Sequence, residues 1–82
     1  MTNNLIIYST PTCVTCRAIM RKLDADGIKY SKVDVTEDTE AAERLKRNGY
    51  QQVPVLGWAG TLHSVDALPN IRKQIISDRD AQ

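Results

Sequence analysis

The chain has two cysteines, Cys13 and Cys16, and they stand where an apolar run gives way to a helical pattern. Leu5-Ile6-Ile7-Tyr8 precedes them, Ser9-Thr10-Pro11-Thr12 forms the connection, and a helical periodicity follows. A strand, a short turn and a helix with C-x-x-C at the junction is the context in which the pair reads as a redox motif. Three residues along a helix separate two α-carbons by about 5 Å, inside the roughly 4.4–6.8 Å range that a disulfide needs. Such a pair can open and close with little backbone movement. A cysteine at a helix start also lies among unpaired N–H groups and the positive end of the helix dipole. Both favour the thiolate, which is the nucleophile.

The cysteines have other uses to exclude. Tetrahedral zinc takes four ligands, and with His63 as the one histidine the chain supplies three at most. A structural disulfide closing so small a ring constrains little of the unfolded chain. Redox use remains, with no metal site expected.

Eighty-two residues make a single domain, 1–82, with a small core. Phenylalanine is absent, so aliphatic side chains must fill that core. The net charge is +1 with both signs interspersed, which argues against nucleic acid or a membrane surface as the main partner. No apolar run approaches the ~18 residues of a membrane span. Met1-Thr2-Asn3-Asn4 lacks the basic and apolar regions of a signal peptide, which points to the cytoplasm, where a disulfide is more often catalytic.

Taken in order, Leu5–Tyr8 reads as a central strand covered on both faces. Thr12 is a candidate helix N-cap. Cys16, Ile19, Met20 and Leu23 then share one helix face, with Arg17, Arg21, Lys22 and Asp24 opposite and Gly27 as the stop. Cys16 should therefore face inward while Cys13 sits at the exposed helix start. Lys29–Val35 alternates as a second strand, parallel to the first. A second helix runs over Glu40–Asn48, with Glu40/Arg44 and Glu43/Arg47 spaced as exposed ion pairs and Gly49 as its end. Val53-Pro54-Val55-Leu56 is β-rich, and its proline demands an edge, a strand start or a special turn. Gly57 and Gly60, flanking Trp58-Ala59, suggest a hairpin connection back through Thr61-Leu62-His63. Ser64 or Asp66 can cap a last helix with Pro69 in its first turn, Leu68, Ile71 and Ile75 on its buried face, and a frayed polar tail from about Ser77. The order is β-α-β-α-β-β-α: an α/β fold with a four-stranded mixed sheet and three flanking helices.

With C-x-x-C at the first strand–helix junction and Val53-Pro54 entering the third strand, the chain resembles the glutaredoxins of the thioredoxin fold over about residues 5–76. Cys13-Val14-Thr15-Cys16 and Gly49-Tyr50-Gln51-Gln52-Val53-Pro54-Val55 are most similar to the NrdH-redoxins within that family. The resemblance implies a dithiol–disulfide oxidoreductase that reduces protein disulfides. Cys13 would attack and Cys16 resolve, the two alternating between dithiol and disulfide. Pro54 would be cis and face the cysteines, and the Val53 backbone would pair with the substrate chain. Thr12, Val53, Pro54, Ser64 and Asp66 form the implied substrate-binding set. The implied partners are thioredoxin reductase, which passes on reducing equivalents from NADPH, and a ribonucleotide reductase or another disulfide-bearing protein. The implied state is a monomer with no tightly bound cofactor.

The chain also departs from the family pattern. Thr10 stands where a family lysine is typical, and His63-Ser64 stands where glutaredoxins carry a Gly-Gly pair. Of the Trp-Ser-Gly-Phe run of NrdH-redoxins, Ser64 matches. Asp66 falls where glutaredoxins place an aspartate that meets the glutathione amine, and it serves equally well as a helix cap. Two alternatives therefore stand beside the main reading: a glutathione- or mycothiol-dependent redoxin, and a non-catalytic binding module on the same fold.

Overall fold

The computed structural model describes residues 5–80. The Met1–Asn4 start and the last two positions of the polar tail lie outside the described residues. The elements run β1 (Leu5–Ser9), α1 (Val14–Ala25), β2 (Tyr30–Asp34), α2 (Thr39–Arg47), β3 (Val55–Trp58), β4 (Thr61–Ser64) and α3 (Leu68–Asp80), with a 3-10 turn at Val65–Ala67 before α3. The sheet order is β2-β1-β3-β4. β1 pairs parallel to β2, with Ser9 opposite Asp34, and antiparallel to β3, with Tyr8 opposite Val55. β3 and β4 are antiparallel, with Val55 opposite Ser64. The central place expected for the first strand is thus the observed one.

Strand alternation divides the core in two. Leu5 and Ile7 of β1 and Leu56 and Trp58 of β3 pack with Ile19 and Leu23 of α1 and Leu68 and Ile71 of α3. Tyr8 and Val55 point to the other face and pack with Leu45 of α2, backed by Ile6, Val33 and Leu62. Burying a side chain such as Leu23 contributes about 1.5–3 kcal/mol, so these two layers carry most of the fold's stability. Trp58 and Tyr8 are both core residues; the Trp58 indole N–H reaches Gln74 at 3.3 Å.

Each of the first two helices stops where a glycine adopts positive φ. At the end of α1, Gly27 has φ +71°, its N–H reaches the Asp24 carbonyl, and the Ile28 N–H reaches that of Leu23. Gly49, at φ +83°, ends α2 in the same way, with the Tyr50 N–H on the Leu45 carbonyl. In both cases the residue past the glycine packs in the same core cluster as the helix residue whose carbonyl it satisfies, the Schellman arrangement. Arg72 of α3 then ties back to Asp26 at the end of α1, with Nε 2.9 Å from the carboxylate.

Five expectations need correction. The N-cap of α1 is Cys13, not Thr12, because the Cys13 sulfur takes the Cys16 N–H that a Thr12 oxygen would have taken. Gly57 lies inside β3; the hairpin turn is Ala59-Gly60, whose φ values are +52° and +78°, the two-residue turn that suits strand twist. β3 begins at Val55, so Val53 and Pro54 precede it. Neither expected i, i+4 pair of α2 closes among the described residues; Arg44 instead donates to the Tyr8 hydroxyl at 3.4 Å. Finally, α3 continues through Ser77 to Asp80 rather than fraying at Ser77, since polar residues can extend a helix anchored by Ile71, Ile75 and Ile76.

Candidate active site

One end of the sheet collects the residues of interest. β1 and β2 finish there, β3 starts there, and β4 finishes there, as the pairings of Ser9, Asp34, Val55 and Ser64 require. The turn after Ser9 carries Cys13, the residue before Val55 is Pro54, and the 3-10 turn after Ser64 carries Asp66. Distant segments thus meet because the sheet topology brings their strand ends together.

The cysteines are joined as a disulfide, with their α-carbons 5.2 Å apart, matching the spacing argument. Cys13 is half-buried and Cys16 is fully buried in the layer beneath α1. The difference follows from the helix start: Cys13 is the cap, whereas Cys16 falls on the face that carries Ile19 and Leu23. The Cys16 N–H lies 3.1 Å from the Cys13 sulfur. In the oxidised pair this sulfur is neutral; on reduction it is the position of the Cys13 thiolate, which would inherit that donor. The turn itself is held by the Cys13 N–H on the Thr10 carbonyl at 3.2 Å and by Arg17 Nη2 on the Pro11 carbonyl at 2.8 Å.

The Val53–Pro54 peptide bond is cis. Val53 and Pro54 are both half-buried, and with Ser64 and Val65 they border a groove of about 380 Å³ that extends along Gly49–Gln52. No charged side chain lines it. Thr12 and Asp66 are exposed, and Asp66 sits inside the 3-10 turn rather than capping α3. Ser64 is exposed and occupies the N-cap position of that turn without a side-chain capping bond. The Tyr50 hydroxyl donates to the Leu62 carbonyl at 3.2 Å and fastens the segment leading to Val53 against β4. The sequence carries no local sign of this role for Tyr50, because its partner is twelve residues away. Val65, too, has only its adjacency to Ser64 to mark it in the sequence.

Asp34 closes this end of β2. A hydrogen bond from the Thr36 hydroxyl, followed by one from the Thr36 N–H, holds its carboxyl below the usual aspartate range. Among the described residues no three His, Cys, Asp or Glu side chains lie close enough together to hold a metal ion. No helix among them is long and apolar enough to cross a membrane.

Residues 5–63 match the Glutaredoxin family. The glutaredoxin-like protein NrdH of Escherichia coli K12 is 34% identical over 61 residues, covering 68% of this chain and 75% of its own length. Mycoredoxin 1 of Corynebacterium glutamicum ATCC 13032 is also 34% identical, over 68 residues, covering 80% of this chain and 84% of its own. The structure of Escherichia coli NrdH-redoxin, described as having a thioredoxin-like activity profile, superposes with a TM-score of 0.69 at 31% identity, over 74% of this chain and 80% of the other. With its thioredoxin-like fold and its Cys13–Cys16 pair, the chain belongs to the glutaredoxin family of thiol–disulfide oxidoreductases.

Proposed function

We propose that the protein is a dithiol redoxin of the cytoplasm that reduces protein disulfides, with a ribonucleotide reductase as client and thioredoxin reductase as its own reductant. The observation that carries this reading is the inequivalence of the two cysteines: Cys13 caps the helix half-exposed, with an N–H on its sulfur, and Cys16 is buried behind it. The Cys13 thiolate attacks one sulfur of the client disulfide; that bond breaks and the other client sulfur leaves as a thiolate. Cys16, deprotonated, then attacks the Cys13 sulfur and releases the second client thiolate. Two electrons pass to the client, its thiolates take up two protons, and the Cys13–Cys16 disulfide forms. The reductant returns two electrons. Val53, Pro54, Ser64 and Asp66 border the path of the client chain, Thr12 flanks the sulfur, and no bound metal or organic cofactor takes part.

The groove beside Pro54 favours a protein reductant. An anionic small thiol such as glutathione needs positive charge and close main-chain approach, and the groove has no charged lining. The Ser64 side chain, on the border of the groove, also adds bulk where a glycine would leave room for a ligand's main chain. A second reading draws on the similarity to Mycoredoxin 1, which covers the larger share of the chain: the reductant would then be a low-molecular-weight thiol. The deciding experiment runs one disulfide client with NADPH and thioredoxin reductase, and in parallel with glutathione or mycothiol and the matching reductase. Efficient turnover in the first and slow turnover in the others is expected. The reverse pattern selects the second reading. A non-catalytic binding module would show no reversible two-electron couple in thiol titration.

A further inference from the structure

We infer that Tyr50 is a positioning residue for client binding: its hydroxyl, held on the Leu62 carbonyl, fixes the otherwise unbonded stretch 51–53 so that the Val53 main chain stands ready for a disulfide-bearing polypeptide. The inference rests on the proposed path of a client chain past Val53. Helix α2 ends with the Gly49 N–H on the Lys46 carbonyl and the Tyr50 N–H on the Leu45 carbonyl. β3 begins at Val55. Between them Gln51, Gln52 and Val53 make no hydrogen bond among the described residues. A main chain with no bonds of its own is open to pair with another chain, and it is equally free to move.

Packing alone holds this stretch weakly. Gln51 and Gln52 are exposed, and Val53 is half-buried. On one side is the groove of about 380 Å³ bordered by Pro54, Ser64 and Val65. A second recess, of about 480 Å³, is lined by Val35 and by Ala42 and Leu45 of α2. Tyr50, Gln51, Gln52 and Val53 line both, so the stretch is a wall between two open spaces. The Tyr50 ring packs with the cluster of Tyr8, Leu45 and Val55, and its hydroxyl reaches the Leu62 carbonyl at 3.2 Å. β4 is an outer strand of the sheet. Alternate residues of an edge strand turn their carbonyls away from the partner strand, where a donor from outside the sheet can reach them. Through this bond the segment is tied to β4 as well as to α2. A client that needs the stretch in one place binds in proportion to the time it spends there.

The test oxidises the fully reduced full-length protein with an excess of one of two disulfides, followed by acid quench and mass spectrometry. Insulin presents its disulfides on a polypeptide; hydroxyethyl disulfide has no main chain to pair. Tyr50→Phe removes one oxygen and keeps the ring, and Tyr50→Leu repeats the loss without the ring. Tyr30→Phe removes the other hydroxyl bonded to a side of the sheet, that of β2 on Asp24 at 3.4 Å. Melting temperatures establish that each variant is folded. The expected result in Tyr50→Phe is a half-saturating insulin concentration about three- to tenfold higher, the equilibrium worth of one neutral hydrogen bond. The limiting rate with insulin and the rate with hydroxyethyl disulfide should stay near the parent. Tyr50→Leu should show the same selective loss, and Tyr30→Phe should match the parent. Parent-like insulin kinetics in the folded Tyr50 variants overturns the inference. So does an equal loss with both disulfides, or the same loss in Tyr30→Phe. If the parent protein reduces hydroxyethyl disulfide but not insulin, the protein-disulfide reading itself fails and takes the inference with it, a result distinct from the others.

Discussion

The backbone N–H of Cys16 lies 3.1 Å from the sulfur of Cys13, so the first turn of α1 is capped by the residue we propose as the nucleophile. A helix start leaves N–H groups without intrahelical partners, and a cap oxygen ordinarily satisfies one of them. Here a sulfur takes that place. A thiolate accepts such a bond better than a thiol does, so in the reduced protein this contact would favour the charged form.

The first prediction follows from that contact and from burial. In the reduced protein Cys13 should alkylate faster than Cys16, which is fully buried. Its apparent pKa should fall below the ~8.5 of free cysteine. Peptide mapping of partly alkylated protein across a pH series measures both. Equal labelling of the two thiols would remove the asymmetry on which the mechanism stands.

The two-step exchange predicts different failures for the two serine variants. Cys13→Ser should lose disulfide reduction altogether. Cys16→Ser should still attack and then stop as a mixed disulfide, seen as a mass adduct of protein plus client that dithiothreitol releases. Normal turnover by Cys16→Ser would mean a monothiol route.

A side chain at Gly57 should be destabilising. A Cβ there would lie 3.2 Å from Ile6 Cβ and 3.2 Å from Tyr8 Cε2, both on the neighbouring strand β1. The strand backbone cannot yield as a surface chain would, so Gly57→Ala should destabilise by about 1–3 kcal/mol, as overpacking does. Urea unfolding measures it. A parent-like midpoint would show that Tyr8 repacks freely.

Asp34 predicts a pH dependence. Its folded pKa is lowered, chiefly by the Thr36 hydroxyl and then by the Thr36 N–H. The carboxylate form is therefore the one the fold favours. Its stabilising contribution is fully present above the ordinary aspartate value of about 3.9 and is lost as pH falls through the lower folded value. Thr36→Val should thus be less stable than the parent at neutral pH, with the gap closing as pH falls below the ordinary aspartate range and Asp34 becomes protonated in the folded protein. A gap of the same size at neutral and at low pH would assign the effect to packing rather than to the charge.

The sequence by itself determined what depends on neighbours along the chain. The cysteine spacing already allowed a disulfide, and the period of Cys16, Ile19 and Leu23 already turned one thiol inward. The alternation of β2 and the positions of Gly27 and Gly49 set strand faces and helix stops. These are local matters of backbone geometry and side-chain period, legible without a partner. Tertiary structure decided what depends on contacts between distant segments. Gly57 reads in sequence as a turn residue, yet it lies in β3 because Ile6 and Tyr8 cover its place on the sheet. Pro54 reaches the cysteine end of the molecule because β3 runs antiparallel to β1, and Tyr50 holds that approach through a carbonyl of β4. The cap of α1 passed from Thr12 to Cys13, and Glu40 lost its helix partner to a tyrosine hydroxyl on β1. Spacing fixes which groups can meet within an element; packing then selects among their possible partners by distance and burial, which no local pattern encodes.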